Sequence, residues 1–213
     1  MTRIVKIDPD RPREETIKEA ARIIKDGGLV AFPTETVYGL GADALNEEAV
    51  RKIFEVKGRS LDKPLSILIG NKEELSKYIQ GIPKAAEILI ERFWPGPLTL
   101  IFRASLFMPD IIRGTNNTIG IRMPDCKIAR KIIQASGVPL ACPSANLSGS
   151  PSPTKASEVA KNLGERITLL LDGGETKIGV ESTVLDLTTY PPTMVREGAL
   201  KREEIEKVIG KIL

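Results

Sequence analysis

The stretch Ala20-Ala21-Arg22-Ile23-Ile24-Lys25-Asp26-Gly27-Gly28-Leu29-Val30-Ala31-Phe32-Pro33-Thr34-Glu35-Thr36-Val37-Tyr38-Gly39-Leu40-Gly41 decides the fold. Between Arg13 and Asp26, Ile17, Ala20, Ala21 and Ile24 recur at helical spacing, and Gly27-Gly28 supplies a left-handed stop. The apolar run Leu29 to Phe32 then reads as a buried strand, which makes the unit helix then strand. That strand runs into hydroxyls, a carboxylate and two glycines, and strand ends of α/β sheets are where ligands sit. Thr34 and Thr36 are placed to hydrogen-bond a small polar substrate; a polar loop with glycines for its geometry is the alternative reading.

The same alternation continues outward. Asn46 caps a second helix with Val50, Ile53 and Phe54 on its buried face, ending near Lys57-Gly58-Arg59. Strand Leu65 to Ile69, an Asn71-capped helix to Tyr78, helix Pro83 to Phe93 and strand Leu98 to Phe102 follow. Then come strand Thr118 to Arg122, helix Lys127 to Ser136, strand Val138 to Ala141 and helix Thr154 to Leu163. Strands Thr168 to Leu171, Thr183 to Leu187 and Met194 to Arg196, and helix Arg202 to Leu213, complete the pattern. The prediction is an α/β fold in one domain over 1–213, with a mixed sheet because the late strands lack intervening helices. Neither an internal repeat nor a linker is seen.

Composition narrows the chemistry. The 213 residues are 41% hydrophobic and 28% charged, as in globular domains, and no apolar stretch approaches the ~20 residues that span a bilayer. Met1 to Asp8 alternates like a strand and lacks the apolar centre of a signal peptide, so the expected location is cytoplasmic. Cys126 and Cys142 lie sixteen positions apart and histidine is absent, so no protein-held metal site, zinc above all, is expected. The lack of histidine also removes every Ser-His or Cys-His nucleophile pair. Carboxylates, lysines, solvent or substrate phosphates must carry any proton transfer. A net charge of +3 suits an anionic small molecule and a nucleic acid alike.

Further segments stand out. Lys57-Gly58-Arg59 with Asp62-Lys63-Pro64-Leu65-Ser66 gathers three cations at a helix end, suited to phosphate or bicarbonate oxygens; a solvated basic helix end is the alternative. Pro143-Ser144-Ala145-Asn146-Leu147-Ser148-Gly149-Ser150-Pro151-Ser152-Pro153-Thr154 offers small residues, hydroxyls and an amide before a helix start. Gly120-Ile121-Arg122-Met123-Pro124, Gly179-Val180-Glu181-Ser182-Thr183 and Arg196 are individually weak. Neither a P-loop nor a Gly-x-Gly-x-x-Gly fingerprint is present.

Together with Phe93-Trp94-Pro95-Gly96-Pro97-Leu98-Thr99, these segments resemble the YrdC/TsaC family of threonylcarbamoyl-AMP synthases over about Lys6 to Gly198. The resemblance implies a twisted mixed sheet flanked by helices around a large basic cleft, and synthesis of threonylcarbamoyl-AMP and pyrophosphate from L-threonine, bicarbonate and ATP with Mg2+. It implies Lys57, Arg59 and Lys63 as the catalytic cations at the triphosphate and bicarbonate. Thr118, Ser144, Asn146, Ser152 and Arg196, with Arg59 and Lys63, are implied at ATP; Thr34, Thr36, Arg122, the Cys142 backbone and Ser182 are implied at L-threonine. The product would pass to a downstream tRNA threonylcarbamoyl transferase, and weak RNA binding is compatible with the basic cleft. Threonine's amine would attack carbon dioxide or bicarbonate and the carbamate would attack the α-phosphate; Glu35 and Glu181 are the nearest carboxylates, with no base assigned. Two departures are expected: the chain ends at Leu213, where longer members continue through a linker, and Leu68 replaces a histidine. The rivals are a double-stranded RNA-binding protein without catalysis, which 4% aromatic residues support poorly, and a hydrogenase-maturation carbamoyl-transfer domain, whose zinc-finger cysteines are missing.

Overall fold

The computed structural model describes residues 2–114 and 116–213. Helix α1 (Glu14–Lys25) buries Ile17, Ala20, Ala21 and Ile24, and Gly27, at φ 76°, turns the chain out of it. Strand β2 (Val30–Pro33) follows, wholly buried. Beyond it the loop reading gives way to a strand. Residues Tyr38–Asp43 form β3, paired antiparallel to β2 with Phe32 opposite Gly39 and Val30 opposite Gly41. The two glycines are glycines because there is no room for more: a Cβ on Gly39 would come 2.5 Å from Cys142 Sγ, and one on Gly41 2.6 Å from Phe32 Cε1. Small residues hid this strand from a pattern search that looks for branched and aromatic side chains.

Helix α2 (Glu47–Lys57) starts where predicted, with the Asn46 side chain accepting from Ala49 N at 3.1 Å. Asn71 makes no such cap; its segment opens as a short tight turn over Lys72–Glu74 before α3 (Leu75–Tyr78). Helix α4 (Lys84–Phe93), α5 (Lys127–Ser136), α6 (Ala156–Leu163) and α7 (Arg202–Ile209) complete the helical set, α6 starting two residues later than predicted and α7 ending before Gly210. Predicted strands 65–69 and 138–141 shrink to β4 (Ile67–Leu68) and β7 (Leu140–Ala141). The remaining strands are β1 (Arg3–Lys6), β5 (Leu98–Arg103), β6 (Thr118–Arg122), β8 (Leu169–Asp172), β9 (Thr183–Asp186) and β10 (Thr193–Arg196).

All ten strands join one sheet in the order β1-β8-β2-β3-β7-β4-β6-β5-β9-β10. Pairs β1/β8, β2/β8, β4/β6 and β5/β9 are parallel and the rest antiparallel, so the sheet is mixed as expected. Two apolar clusters flank it. One gathers Phe32, Leu68, Leu140 and Leu171 under α1 and α5; the larger holds Tyr38, Leu40, Ile53, Leu89, Trp94 and Leu100 beneath α2 and α4. Covering both faces leaves the strand ends and their loops as the place for polar side chains. Among the described residues no helix is long and apolar enough to cross a membrane.

Replacing Gly39 with alanine should lower the denaturant midpoint by an overpacking cost of about 1–3 kcal/mol. The clash is with one atom, so Cys142→Ala in the same chain should recover most of that loss, and equal midpoints for the single and double variants would count against it.

Candidate active site

A cavity of about 160 Å3 opens where several strands end, lined by Ser66 and Leu68 of β4 and its entry, Arg122 at the end of β6, Cys142 just after β7, Ser182 just before β9 and Arg196 at the end of β10. Arg59, Leu65, Thr99, Ser144 and Glu181 complete the part of the wall that matters here. Three guanidinium groups thus face one carboxylate. The volume of this basic cavity is below the ~300–1000 Å3 common for small-molecule sites.

Each arginine is braced by its neighbours. Arg196 donates from Nε (3.1 Å) and Nη2 (2.9 Å) to Ser182 O, and its Nη1 pairs with Glu181. Glu181 in turn accepts from Ser152 Oγ at 2.5 Å, tying the Ser/Pro loop to β10. Ser182 Oγ lies 2.8 Å from Thr99 Oγ1. Arg122 is 7% exposed; its Nε donates to Gly96 O at 3.2 Å and its Nη2 sits 2.7 Å from Glu35 Oε2 and 3.5 Å from Thr34 Oγ1. Arg59 donates to Lys63 O and Pro64 O, both at 3.1 Å, and so shapes the loop leading into β4.

The structure separates the predicted residues into two groups. Arg59, Arg122, Cys142, Ser144, Ser182 and Arg196 meet at the cavity. Lys57 does not: it is 2% exposed, and its ammonium donates to Ser144 O (2.5 Å) and Asn146 O (2.6 Å), with Asn146 Oδ1 at 3.5 Å. The structure thus places Lys57, expected at phosphate, against two backbone carbonyls and off the cavity lining. Asn146 is also internal, its amide donating to Leu147 O and Ser150 O. Lys63 is exposed and Thr118 half-buried, both outside the lining, and Ser152 reaches the cavity through Glu181. Thr34 and Thr36 are buried behind Arg122, their hydroxyls 2.8 Å apart, with Thr34 Oγ1 donating to Val37 O. The Cys142 N–H is taken by Ser66 O at 3.0 Å, and burial pushes its thiol up to about 12, so the sulfur stays protonated at neutral pH.

Sequence reasoning gave Glu181 no structural part and did not place Thr99 at the site. Their signals were a carboxylate beside Ser182 and a hydroxyl in an otherwise apolar strand. Among the described residues no group of three or more His, Cys, Asp or Glu side chains is arranged to hold a metal ion.

The arginine-lined cavity at the strand ends of this mixed α/β sheet is chemically suited to small carboxylates or phosphates. A family model named for Sua5, YciO and YrdC and described as "Telomere recombination" matches residues 22–198, and the chain belongs to that family. A threonylcarbamoyl-AMP synthase of Pyrococcus abyssi is 54% identical over 100% of this chain and 62% of its own length. The structure of P. abyssi Sua5 complexed with L-threonine superposes with a TM-score of 0.96 at 53% identity, covering 100% of this chain and 63% of that one. A putative threonylcarbamoyl-AMP synthase of Mycobacterium tuberculosis is 36% identical over 95% of this chain and 93% of its own. The chain therefore spans about 62% of the length of its Pyrococcus relative and nearly all of the mycobacterial one.

Burial, with the charge of Arg59 second, lowers the Lys57 ammonium to about 8 from an ordinary 10.5. Between those values the unfolded chain holds more protons than the folded one, so the Lys57 contribution to stability improves as pH rises through the window. Lys57→Met should orphan two carbonyls, at about 1–3 kcal/mol each. The stability gap between wild type and Lys57→Met, measured by urea titration from pH 7.5 to 10, should widen with pH; a constant gap would refute the lowered ammonium.

Proposed function

We propose that this chain joins L-threonine, bicarbonate and ATP into threonylcarbamoyl-AMP with release of pyrophosphate, and that the product goes on to a tRNA-modifying transferase. The observation that carries the reading is the cavity itself, which brings Arg59, Arg122 and Arg196 together with Ser182, cations and a hydroxyl suited to an amino-acid carboxylate and to phosphate. The relatives bearing this activity by name, and the relative crystallised with L-threonine, support it.

The chemistry needs no protein nucleophile. Bicarbonate gives carbon dioxide with loss of hydroxide, threonine's amine adds to it to form the carbamate, and a carbamate oxygen attacks the α-phosphate in line as pyrophosphate leaves. Arg59 and Arg196 stabilise charge on the transferring phosphoryl group, and the braces around them mean little reorganisation during reaction. Magnesium carried on the triphosphate as part of the substrate would neutralise charge on the departing pyrophosphate, and among the described residues Glu181 is the one carboxylate that lines the cavity. Glu35 and Glu181 are each engaged by an arginine, so solvent or substrate phosphate takes the amine's proton.

Incubation with ATP, magnesium, bicarbonate and labelled threonine should yield threonylcarbamoyl-AMP; RNA binding without product would support the non-catalytic rival instead. Arg59→Ala should lose at least about 100-fold in turnover, as removal of a transition-state donor does, whereas Lys63→Ala, outside the cavity lining, should lose less. Equal losses would place Lys63 at the phosphates after all.

Amino-acid choice gives a second check. Arg122 reads a carboxylate that every amino acid has, so discrimination falls to the side-chain end. Ser182 is polar there, and Leu65 and Leu68 are apolar. Serine, lacking a methyl, should be poorer by about 1–3 kcal/mol, and valine, which leaves a hydroxyl partner unpaired, by ~10⁴-fold or more. Valine turning over as well as serine would mean that the pocket reads shape alone.

A further inference from the structure

The ion pair between Arg122 and Glu35 stands between two cavities. Arg122 lines the small basic one, while Glu35 lines a second of about 450 Å3 together with Thr34, Cys126, Arg130 and Thr176. Glu35 is 6% exposed and lies 2.7 Å from Arg122 Nη2, yet neither of its oxygens has a well-aligned hydrogen-bond donor among the described residues. A buried carboxylate so placed is costly unless a charge holds it, and the guanidinium is that charge. The arginine is constrained in return. Gly96 O takes Nε, and Glu35 and Thr34 lie against Nη2, which leaves Nη1 without a protein acceptor among the described residues.

We propose that Glu35 is a positioning residue for the amino-acid end of the site, fixing the Arg122 guanidinium so that Nη1 is held ready for the substrate carboxylate. This rests on the proposed function, in which Arg122 receives that carboxylate. Glu35 itself does not line the basic cavity and is assigned no proton transfer. Without the carboxylate anchor, the guanidinium gains a choice of positions, and the substrate must select among them at a cost in affinity.

The test is binding of L-threonine and of threoninol, which lacks the carboxylate, to wild type, Glu35→Gln, Glu35→Asp and Arg122→Lys, each checked for folding by circular dichroism. Glu35→Gln should bind L-threonine roughly 10- to 100-fold more weakly, the range expected for a misplaced positioning contact, and Glu35→Asp should fall between it and wild type. Threoninol binding should change by less than about threefold, since the anchored group has nothing to meet, and ATP binding should be unmoved. In Arg122→Lys the further change Glu35→Gln should add almost nothing, because the two act as one unit. A merely structural role would weaken both ligands together. L-threonine bound equally by wild type and both Glu35 variants, with Arg122→Lys impaired, overturns the inference alone; L-threonine bound normally by Arg122→Lys overturns the reading of the amino-acid end. If Glu35→Gln does not fold, Glu35→Asp decides, and wild-type affinity in it refutes the positioning role.

Discussion

The loop that forms one wall of the basic cavity has little secondary structure of its own, and its start is held by backbone bonds to β3 and by one buried ammonium group. Lys57, at the last turn of α2, donates to the carbonyls of Ser144 and Asn146, and its own carbonyl accepts from Ser148 N at 2.8 Å. Desolvating that charge is expensive, and the expense is tolerated because the carbonyl dipoles converge on it. Backbone bonds from Cys142 N to Ser66 O, from Leu40 N to Pro143 O and from Ala145 N to Tyr38 O seat Cys142 and Ser144 at the cavity, and the packing of Gly39 against Cys142 further ties the loop to the β2–β3 hairpin.

The three cavity arginines follow a common logic. Each has part of its guanidinium committed to backbone carbonyls, Arg59 to Lys63 and Pro64, Arg122 to Gly96 and Arg196 to Ser182. Two of them are further balanced by a carboxylate. A cluster of free cations would repel itself and would have to be reorganised around each incoming anion. Braced cations repel no less, but their geometry is set in advance, which is the form of electrostatic stabilisation that favours a transition state over a flexible ground state.

The sequence made most of this architecture legible. The alternation of helical and strand periods located every helix, the Asn46 cap is present, and the segments around Arg59, Arg122, Ser144, Ser182 and Arg196 do meet at one cavity. What stayed hidden was hidden for physical reasons. Strand β3 is built on glycines that a close approach demands, so it lacks the branched side chains by which strands are recognised. Lys57 reads as a surface helix end, because nothing local says that carbonyls almost ninety residues later in the chain will close over it. Glu35 and Glu181 stood in conspicuous segments, but a carboxylate that anchors an arginine and one that takes a proton are written with the same letter.

The order of strands carries one more consequence. Residues Arg3–Lys6 at the front of the chain pair in parallel with Leu169–Asp172. At synthesis rates of about 5–20 residues per second, the first strand waits on the order of ten to thirty seconds for its partner to leave the ribosome. During that wait the neighbouring edge of β2, which also pairs with β8, is equally open. The apolar Val30–Pro33 strand therefore keeps an open edge, available to other nascent chains and chaperones, until Leu169–Asp172 arrives to cover it.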